Sequence, residues 1–161
     1  LLFAVLFIGC GLGISPEPEV IETNTGFGGT ITFKGNWPQG ITRTHVVAFK
    51  NPLNSTGDFN AFNLGFVSDS IPNNTRSVYY SSTKNPLIEI KPGEYSYIAV
   101  AQSRTSEISI SRKDWVVVGI YYAENDSLNP GKLIIKENEF TGNINFICDF
   151  DNPPPQPPGG D

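Results

Sequence analysis

Short runs in which apolar and polar residues alternate account for most of the chain after residue 27. Such alternation predicts strands whose successive side chains point to opposite faces of a sheet. The pattern is clear from Thr30 to Phe33 and again after the turn at Pro92 and Gly93. No long segment has helical periodicity. We therefore expect an all-β domain of about seven or eight strands.

Two runs are apolar on both faces, which predicts a central position in a sheet. In "THVVAF", Val46 and Ala48 lie on one face, and Val47 and Phe49 lie on the other. The run "DWVVVGIYY" is almost continuously apolar. The other predicted strands are "RSVYYSS", "PLIEI", "KLIIKEN" and "GNINFICDFD".

The segment "TGDFNAFNLGFVSDSIP" has two interpretations. The first is a loop with a short helix at "DFNAF", in which Asp58 caps the helical turn. The second is a loop followed by a strand at "GFVSDS". The pattern of the residues leaves both open.

The first thirteen residues, "LLFAVLFIGCGLG", carry no charge. As a helix they would extend about 20 Å, whereas the apolar core of a bilayer is roughly 30 Å thick. Glycines at 9, 11 and 13 weaken a helix, and Pro16 and Pro18 end it. The length instead fits the apolar part of a secretory signal, about 7–15 residues. We interpret residues 1–9 as a signal peptide whose start is missing.

The stretch Phe7-Ile8-Gly9-Cys10 resembles the lipobox of bacterial lipoproteins. The resemblance implies that Cys10 receives a diacylglyceryl thioether and becomes the first residue after cleavage. It also implies a place in the bacterial cell envelope, with contact to the membrane through the N-terminal lipid. In lipoproteins of diderm bacteria, a residue other than Asp after the Cys, here Gly11, implies sorting to the outer membrane. The alternatives are an ordinary signal peptide with an incidental Cys, or a buried N-terminal strand.

Residues 10–26 are polar and contain two Pro and three Glu, which predicts a lipidated Cys followed by a flexible tether. The alternative is an edge strand at "EVIET". Residues 27–152 form the predicted sandwich. Residues 153–161 contain five Pro and predict a solvated polyproline tail, which could also be a linker or a ligand for a Pro-binding module.

The composition fits one domain and excludes some partners. The chain has 161 residues, 16 Gly and 13 Pro, and aromatic residues make up 12% of it. Frequent turn residues with many aromatic residues favour short strands. The net charge is −5, and no cluster of Lys and Arg occurs. Nucleic-acid binders usually carry such a cluster, so we expect no nucleic-acid partner.

The chain offers little catalytic chemistry. His45 is the only histidine, and it lies within an apolar strand, which indicates a structural or edge position. A zinc site needs several His or Cys ligands at close spacing, and the chain has two distant Cys. Cys148 lies in an alternating run, where a lone Cys is typically a small buried hydrophobic residue. A Cys10–Cys148 disulfide would require the leader to be retained. We predict no enzyme activity.

Two groups of residues are candidate binding sites. The oxygen-rich loop with Glu124, Asn125, Asp126 and Asn129 could hold Ca²⁺, the only cofactor we consider. The alternative is a plain turn, which favours the same residue types.

Aromatic residues at Trp37, Tyr121 and Tyr122 could form a platform for a sugar ring. Trp37 lies in the loop "GNWPQG" and is the better candidate, and the alternative is that it covers one end of the sandwich. Trp115 begins the most apolar strand, so we assign it to the core.

The run "GGTITF" and the turn Pro92-Gly93-Glu94-Tyr95 resemble the transthyretin-like, carboxypeptidase-regulatory-like class of Ig-type sandwiches. The resemblance covers about residues 27–152 and implies a Greek-key β-sandwich with Tyr95 packed on the core. Members of this class are mostly accessory, surface-display or partner-docking modules. The Tyr-Arg-Gly-Ser tail of the hydrolase branch is absent here, so that activity is not carried over.

Together these features predict a lipid-anchored β-sandwich of the cell envelope with a structural or partner-binding role. Its partner would be a surface protein or a glycan. The first alternative is a carbohydrate-binding module that uses the loop aromatic residues. A hydrolase is the third hypothesis.

Overall fold

The computed structural model describes residues 24–124 and 126–160. Cys10, the predicted signal peptide, the tether up to residue 23, and Asn125 lie outside the described residues. Within the described ranges, no helix is long and apolar enough to cross a bilayer.

The described chain is built from short strands, which confirms the predicted all-β class. Two 3₁₀ turns, Thr56–Asp58 and Arg112–Asp114, are its helical elements. The strands are β1 (Gly26–Lys34), β2 (Arg43–Phe49), β3 (Leu64–Val67), β4 (Ser77–Ser81), β5 (Gly93–Tyr95), β6 (Tyr97–Ser103), β7 (Trp115–Ile120), β8 (Leu133–Ile135), β9 (Phe140–Thr141) and β10 (Phe146–Asp149).

The strands form two main sheets. In the first sheet β1 lies between β10 and β4, and β9 also pairs with β1. The β10 and β9 pairings are parallel to β1, and the β4 pairing is antiparallel. The second sheet is antiparallel in the order β3-β2-β6-β7. β5 and β8 form a separate two-stranded ribbon.

The main core lies between the two sheets. The rings of Phe27 on β1 and Phe66 on β3 meet edge to face, with centroids 5.0 Å apart, and both side chains are fully buried. Alternate residues of most strands point into this core, as the sequence pattern predicts. Other members of the core include Ile31, Phe33, Val46, Ala48, Tyr80, Tyr95, Ile98, Val100, Val118, Phe146 and Cys148.

The sheets approach each other most closely where β7 passes β10. A Cβ atom on Gly119 would lie 2.6 Å from Cys148 Sγ and 3.4 Å from the carbonyl oxygen of Ile147. Only a residue without a side chain fits between these strands. Gly119 therefore allows the backbones of β7 and β10 to approach each other closely at this point.

Tyr95 packs on the core, as the resemblance to Ig-type sandwiches implies. The side chain is buried against the main core. Its hydroxyl donates to the carbonyl oxygen of Lys91 at 2.9 Å and accepts from the Lys91 amide at 3.3 Å. These bonds fix the turn that precedes β5. Between β5 and β6 the chain passes from the ribbon to the second sheet, because β5 pairs with β8 and β6 pairs with β2 and β7.

Two segments were open or uncertain in the sequence. Of the two interpretations of "TGDFNAFNLGFVSDSIP", the structure has the loop followed by a strand, β3 at Leu64–Val67, and the 3₁₀ turn at Thr56–Asp58 reaches only the first residue of "DFNAF". Asp58 accepts from the amides of Asn54 and Ser55 and so closes this turn. The run "PLIEI" forms no regular strand and makes an isolated bridge between Ile88 and Val67. Both runs border the surface cavity described below.

The C-terminal segment is mostly exposed, and Gln156 and Pro157 contact the second sheet and its neighbouring turn. The side-chain amide of Gln156 donates to the carbonyl oxygen of Val117 at 2.7 Å and accepts from its amide at 2.9 Å. Pro157 is buried, and its carbonyl oxygen accepts from Arg112 at 2.9 Å. The contact of Gln156 with the edge of β7 is an addition to the predicted tail, and the Pro-rich composition gives no sign of it.

Candidate functional site

An apolar cavity of about 250 Å³ lies on the face of the second sheet that points away from the main core. β2 builds it with the residues that alternate with the core residues Val46 and Ala48. Strand pairing places Ala101 of β6 opposite His45. We call this cavity the outer groove, and its floor includes His45, Val47, Ala101 and Trp115.

The rim of the outer groove consists of large apolar side chains that remain partly in solvent. Ile110 is 80% exposed, and the other rim residues are 40–51% exposed. Among the described residues that line the cavity there is no Lys, Arg, Asp or Glu. Contiguous exposed apolar surface of this kind marks interaction sites in soluble proteins. The rim residues are Leu87, Ile88, Ile108 and Ile110.

His45 is a polar residue on the floor of the outer groove, and its contacts define its tautomer. Its Nδ1 lies 2.9 Å from the carbonyl oxygen of Ser68. A carbonyl oxygen only accepts hydrogen bonds, so Nδ1 carries the proton and donates. Nε2 is shielded from solvent and has no hydrogen-bond partner within the described ranges. The imidazole packs edge to face on Trp115, with ring centroids 6.2 Å apart.

The environment keeps His45 neutral. Burial is the main reason that its pKa lies below the ordinary value of 6.5, and the nearby Arg43 guanidinium lowers the pKa further. Hydrogen bonds to the Ser68 and Asp69 backbone and the Asp69 charge act in the opposite direction but do not outweigh burial. Nε2 is therefore an unprotonated acceptor at neutral pH.

We expect the free energy of unfolding to fall as the pH is lowered below 6.5. In that range the unfolded chain binds a proton at His45, while the folded chain resists protonation because its pKa is lowered. His45 is the only histidine, so His45→Phe should make the profile flat between about pH 7.5 and 5.5. Chemical denaturation across this range measures both profiles. A wild-type profile that is flat or that rises on acidification would contradict the assignment.

A second hollow of about 310 Å³ lies between the C-terminal segment and the loop at 52–54. Tyr122, one of the predicted platform residues, lines it, together with Tyr97 and Gln156. Burial raises the pKa of Tyr97, whose hydroxyl has no partner in the described part of the chain. Tyr121 packs instead against the main core.

Trp37 covers one end of the sandwich, which is the alternative that the sequence offered. Its ring packs on Phe33 and Phe150, with centroids 4.7 and 5.1 Å away. The indole N–H donates to the carbonyl oxygen of Thr75 at 3.0 Å. The structure places Trp37 beside a different hollow from Tyr122, so the three predicted aromatic residues do not line one common cavity.

The candidate Ca²⁺ loop has the arrangement of a turn. One carboxylate oxygen of Asp126 accepts from the amides of Leu128 and Asn129, and the other accepts from the Asn129 side chain at 3.1 Å. These bonds lower the Asp126 pKa. Glu124 is exposed, and Asn125 lies outside the described residues. Across residues 24–124 and 126–160, no group of three or more His, Cys, Asp or Glu side chains could hold a metal ion.

Cys148 is the small buried residue that the sequence predicts. It is fully buried in the main core, and burial raises the pKa of its thiol to about 12. A thiol with such a pKa remains protonated and is a poor nucleophile at neutral pH.

Sequence reasoning missed the outer groove, although two signals were present. Val47 and Phe49 form a second apolar face on β2, which already requires cover on that side. In "EISIS", Ile108 and Ile110 stand two residues apart, so both can reach the same surface.

No family model, curated protein or solved structure matches the chain.

Proposed function

We propose that the protein is a non-catalytic binding module of the bacterial cell envelope, anchored by lipid on Cys10. In this proposal the outer groove receives an uncharged apolar side chain of a partner protein. The observation that carries the proposal is the exposed apolar rim around an apolar cavity on the outer face of the second sheet.

The size of the groove favours a protein partner over a free small molecule. Pockets for small molecules usually enclose roughly 300–1,000 Å³. A ligand held within the smaller volume of about 250 Å³ would leave the rim in water. A protein surface would cover Leu87, Ile88, Ile108 and Ile110 while one of its side chains filled the cavity. Because the described lining residues carry no Lys, Arg, Asp or Glu, they favour an uncharged patch on the partner.

The described side chains support a role without catalysis. Nδ1 of His45 is already bonded to a backbone carbonyl, and Cys148 is buried as a thiol of raised pKa. His45 and Cys148 do not form a nucleophile–base pair, because His45 lines the outer groove and Cys148 lies in the core between the two sheets.

Two features support the envelope assignment and the Ig-type class. The lipobox-like run before Cys10 supports a lipid anchor. The hydroxyl of Tyr95, which bonds back to Lys91 before a central strand, resembles the tyrosine corner of Ig-type sandwiches.

A photo-crosslinking residue placed at position 110 in the full chain is expected to form one discrete adduct in the native envelope. The same residue at position 134 serves as the control, because Ile134 is 59% exposed on β8 and does not line the groove. Ile88→Asp, which puts a charge on the rim, should abolish the adduct at position 110. Denaturing gel analysis measures the adducts. The same adducts at both positions, or none at position 110, would contradict the proposal.

The lipid anchor has its own test. Expression of the gene from its true start should give a membrane-bound chain whose intact mass corresponds to Cys10 plus acyl groups. Cys10→Ser should remove the acyl mass and release the chain from the membrane fraction. A soluble, unmodified wild-type chain cut at another residue would overturn this part of the proposal.

A further inference from the structure

His45 Nε2 is an acceptor without a donor in a cavity whose other walls are largely apolar. The side chain is 1% exposed, and the Ser68 carbonyl oxygen holds its tautomer so that Nε2 has a free lone pair. Buried acceptors of this kind are uncommon in folded proteins because each one lacks the hydrogen bond that water would supply. At a binding site the missing donor can come from the ligand.

The groove also favours a flat ring as its occupant. Its walls include the rings of Phe49, Phe59 and Trp115, and Trp115 already packs edge to face on the imidazole. Aromatic rings gain from edge-to-face and offset contacts with one another. Trp and Tyr combine such a ring with one hydrogen-bond donor, and both are enriched at the centres of protein interfaces.

We propose that the occupant of the outer groove is a Trp or Tyr side chain of the partner, whose N–H or O–H donates to His45 Nε2. This inference rests on the proposed function and specifies the chemistry of the same site. Nε2 is shielded from solvent, so the inference requires that side chains of the groove move as the ring enters. Ile108 and Ile110, in the rim segment at 106–111 outside the strands, are the side chains that we expect to move.

The test uses two pairs of small amides that differ in the donor. The first pair is N-acetyltyrosinamide and N-acetylphenylalaninamide, and the second is N-acetyltryptophanamide and its 1-methylindole counterpart. Each amide is titrated into the ¹⁵N-labelled protein, and NMR follows the groove amides and the His45 ring nitrogens. In each pair the donor-bearing amide should bind about 5- to 30-fold more tightly. It should also shift the Nε2 resonance toward that of a hydrogen-bonded nitrogen.

His45→Phe removes the acceptor and should abolish the preference within each pair. Trp37→Phe is the control, because Trp37 does not line the outer groove, and it should leave the preference unchanged. If His45→Phe does not fold, the Nε2 shift in the wild-type protein still decides the matter. Equal binding within each pair with no Nε2 shift would overturn the inference and leave the proposed function standing. No shift at the groove with any of the four amides, up to their solubility limits, would overturn the inference, whereas the crosslinking experiment at position 110 decides the proposed function separately.

Discussion

Replacing Phe66 with alanine is expected to lower the free energy of unfolding by about 3–5 kcal/mol. Phe66 is fully buried, and its ring meets Phe27 of the other sheet at 5.0 Å. The truncation therefore removes apolar contacts from both sheets and leaves a cavity between them. Small domains have a total stability of about 5–15 kcal/mol, so the loss would be a large part of the whole.

Equilibrium chemical denaturation measures this loss, and Phe62→Ala is the matched control. Phe62 lies in the loop just before β3 and is 91% exposed, so its truncation should change the free energy of unfolding by about 0.5 kcal/mol or less. Equal effects of the two substitutions would mean that Phe66 does not join the two sheets as described.

Replacing Gln156 with alanine is expected to destabilise the fold by about 1–3 kcal/mol and to promote self-association. The side chain makes two hydrogen bonds to the backbone of Val117 and so occupies the edge of β7. Each bond contributes about 0.5–1.5 kcal/mol. Without them, the unpaired backbone groups of an edge strand can pair with a second chain.

Denaturation and light scattering together measure both effects. Gln39→Ala is the control, because Gln39 is an exposed glutamine in the loop before β2. A Gln156→Ala protein that is as stable and as monomeric as this control would show that the C-terminal segment does not protect β7.

The strands of the second sheet could be predicted because their pattern is local. β2 and β7 are apolar on both faces, and each indeed has a buried inner face and a largely buried outer face. Cys148 could be assigned to the core for the same reason, since it lies on the apolar side of an alternating run. Tyr95 could be assigned to the core through the resemblance of its turn, because alternation with Tyr97 and Ala99 would place it on the opposite face. Periodicity along a few residues is enough for such assignments.

The outer groove and the packing of Gln156 could not be predicted because they depend on distant segments. The groove needs β2, the bridge at Ile88 and the segment of Ile108 to meet over one sheet face. Gln156 finds Val117 across 39 residues. The prediction that Trp37, Tyr121 and Tyr122 share a platform depended on their residue types and on the loop position of Trp37. Neither says which distant segments lie side by side in the fold.

The parallel pairing of β1 with β10 has a mechanical consequence. The strands are joined side by side from Ile31–Phe146 to Lys34–Asp149, so the chain enters at one end of the pair and leaves at the other. A force that pulls the two ends apart first detaches the C-terminal segment at Gln156. It then loads the β1–β10 hydrogen bonds in shear, all together, whereas an unzipping geometry would break them one at a time. A domain tethered through its N-terminal side would in this way hold its shape under tension.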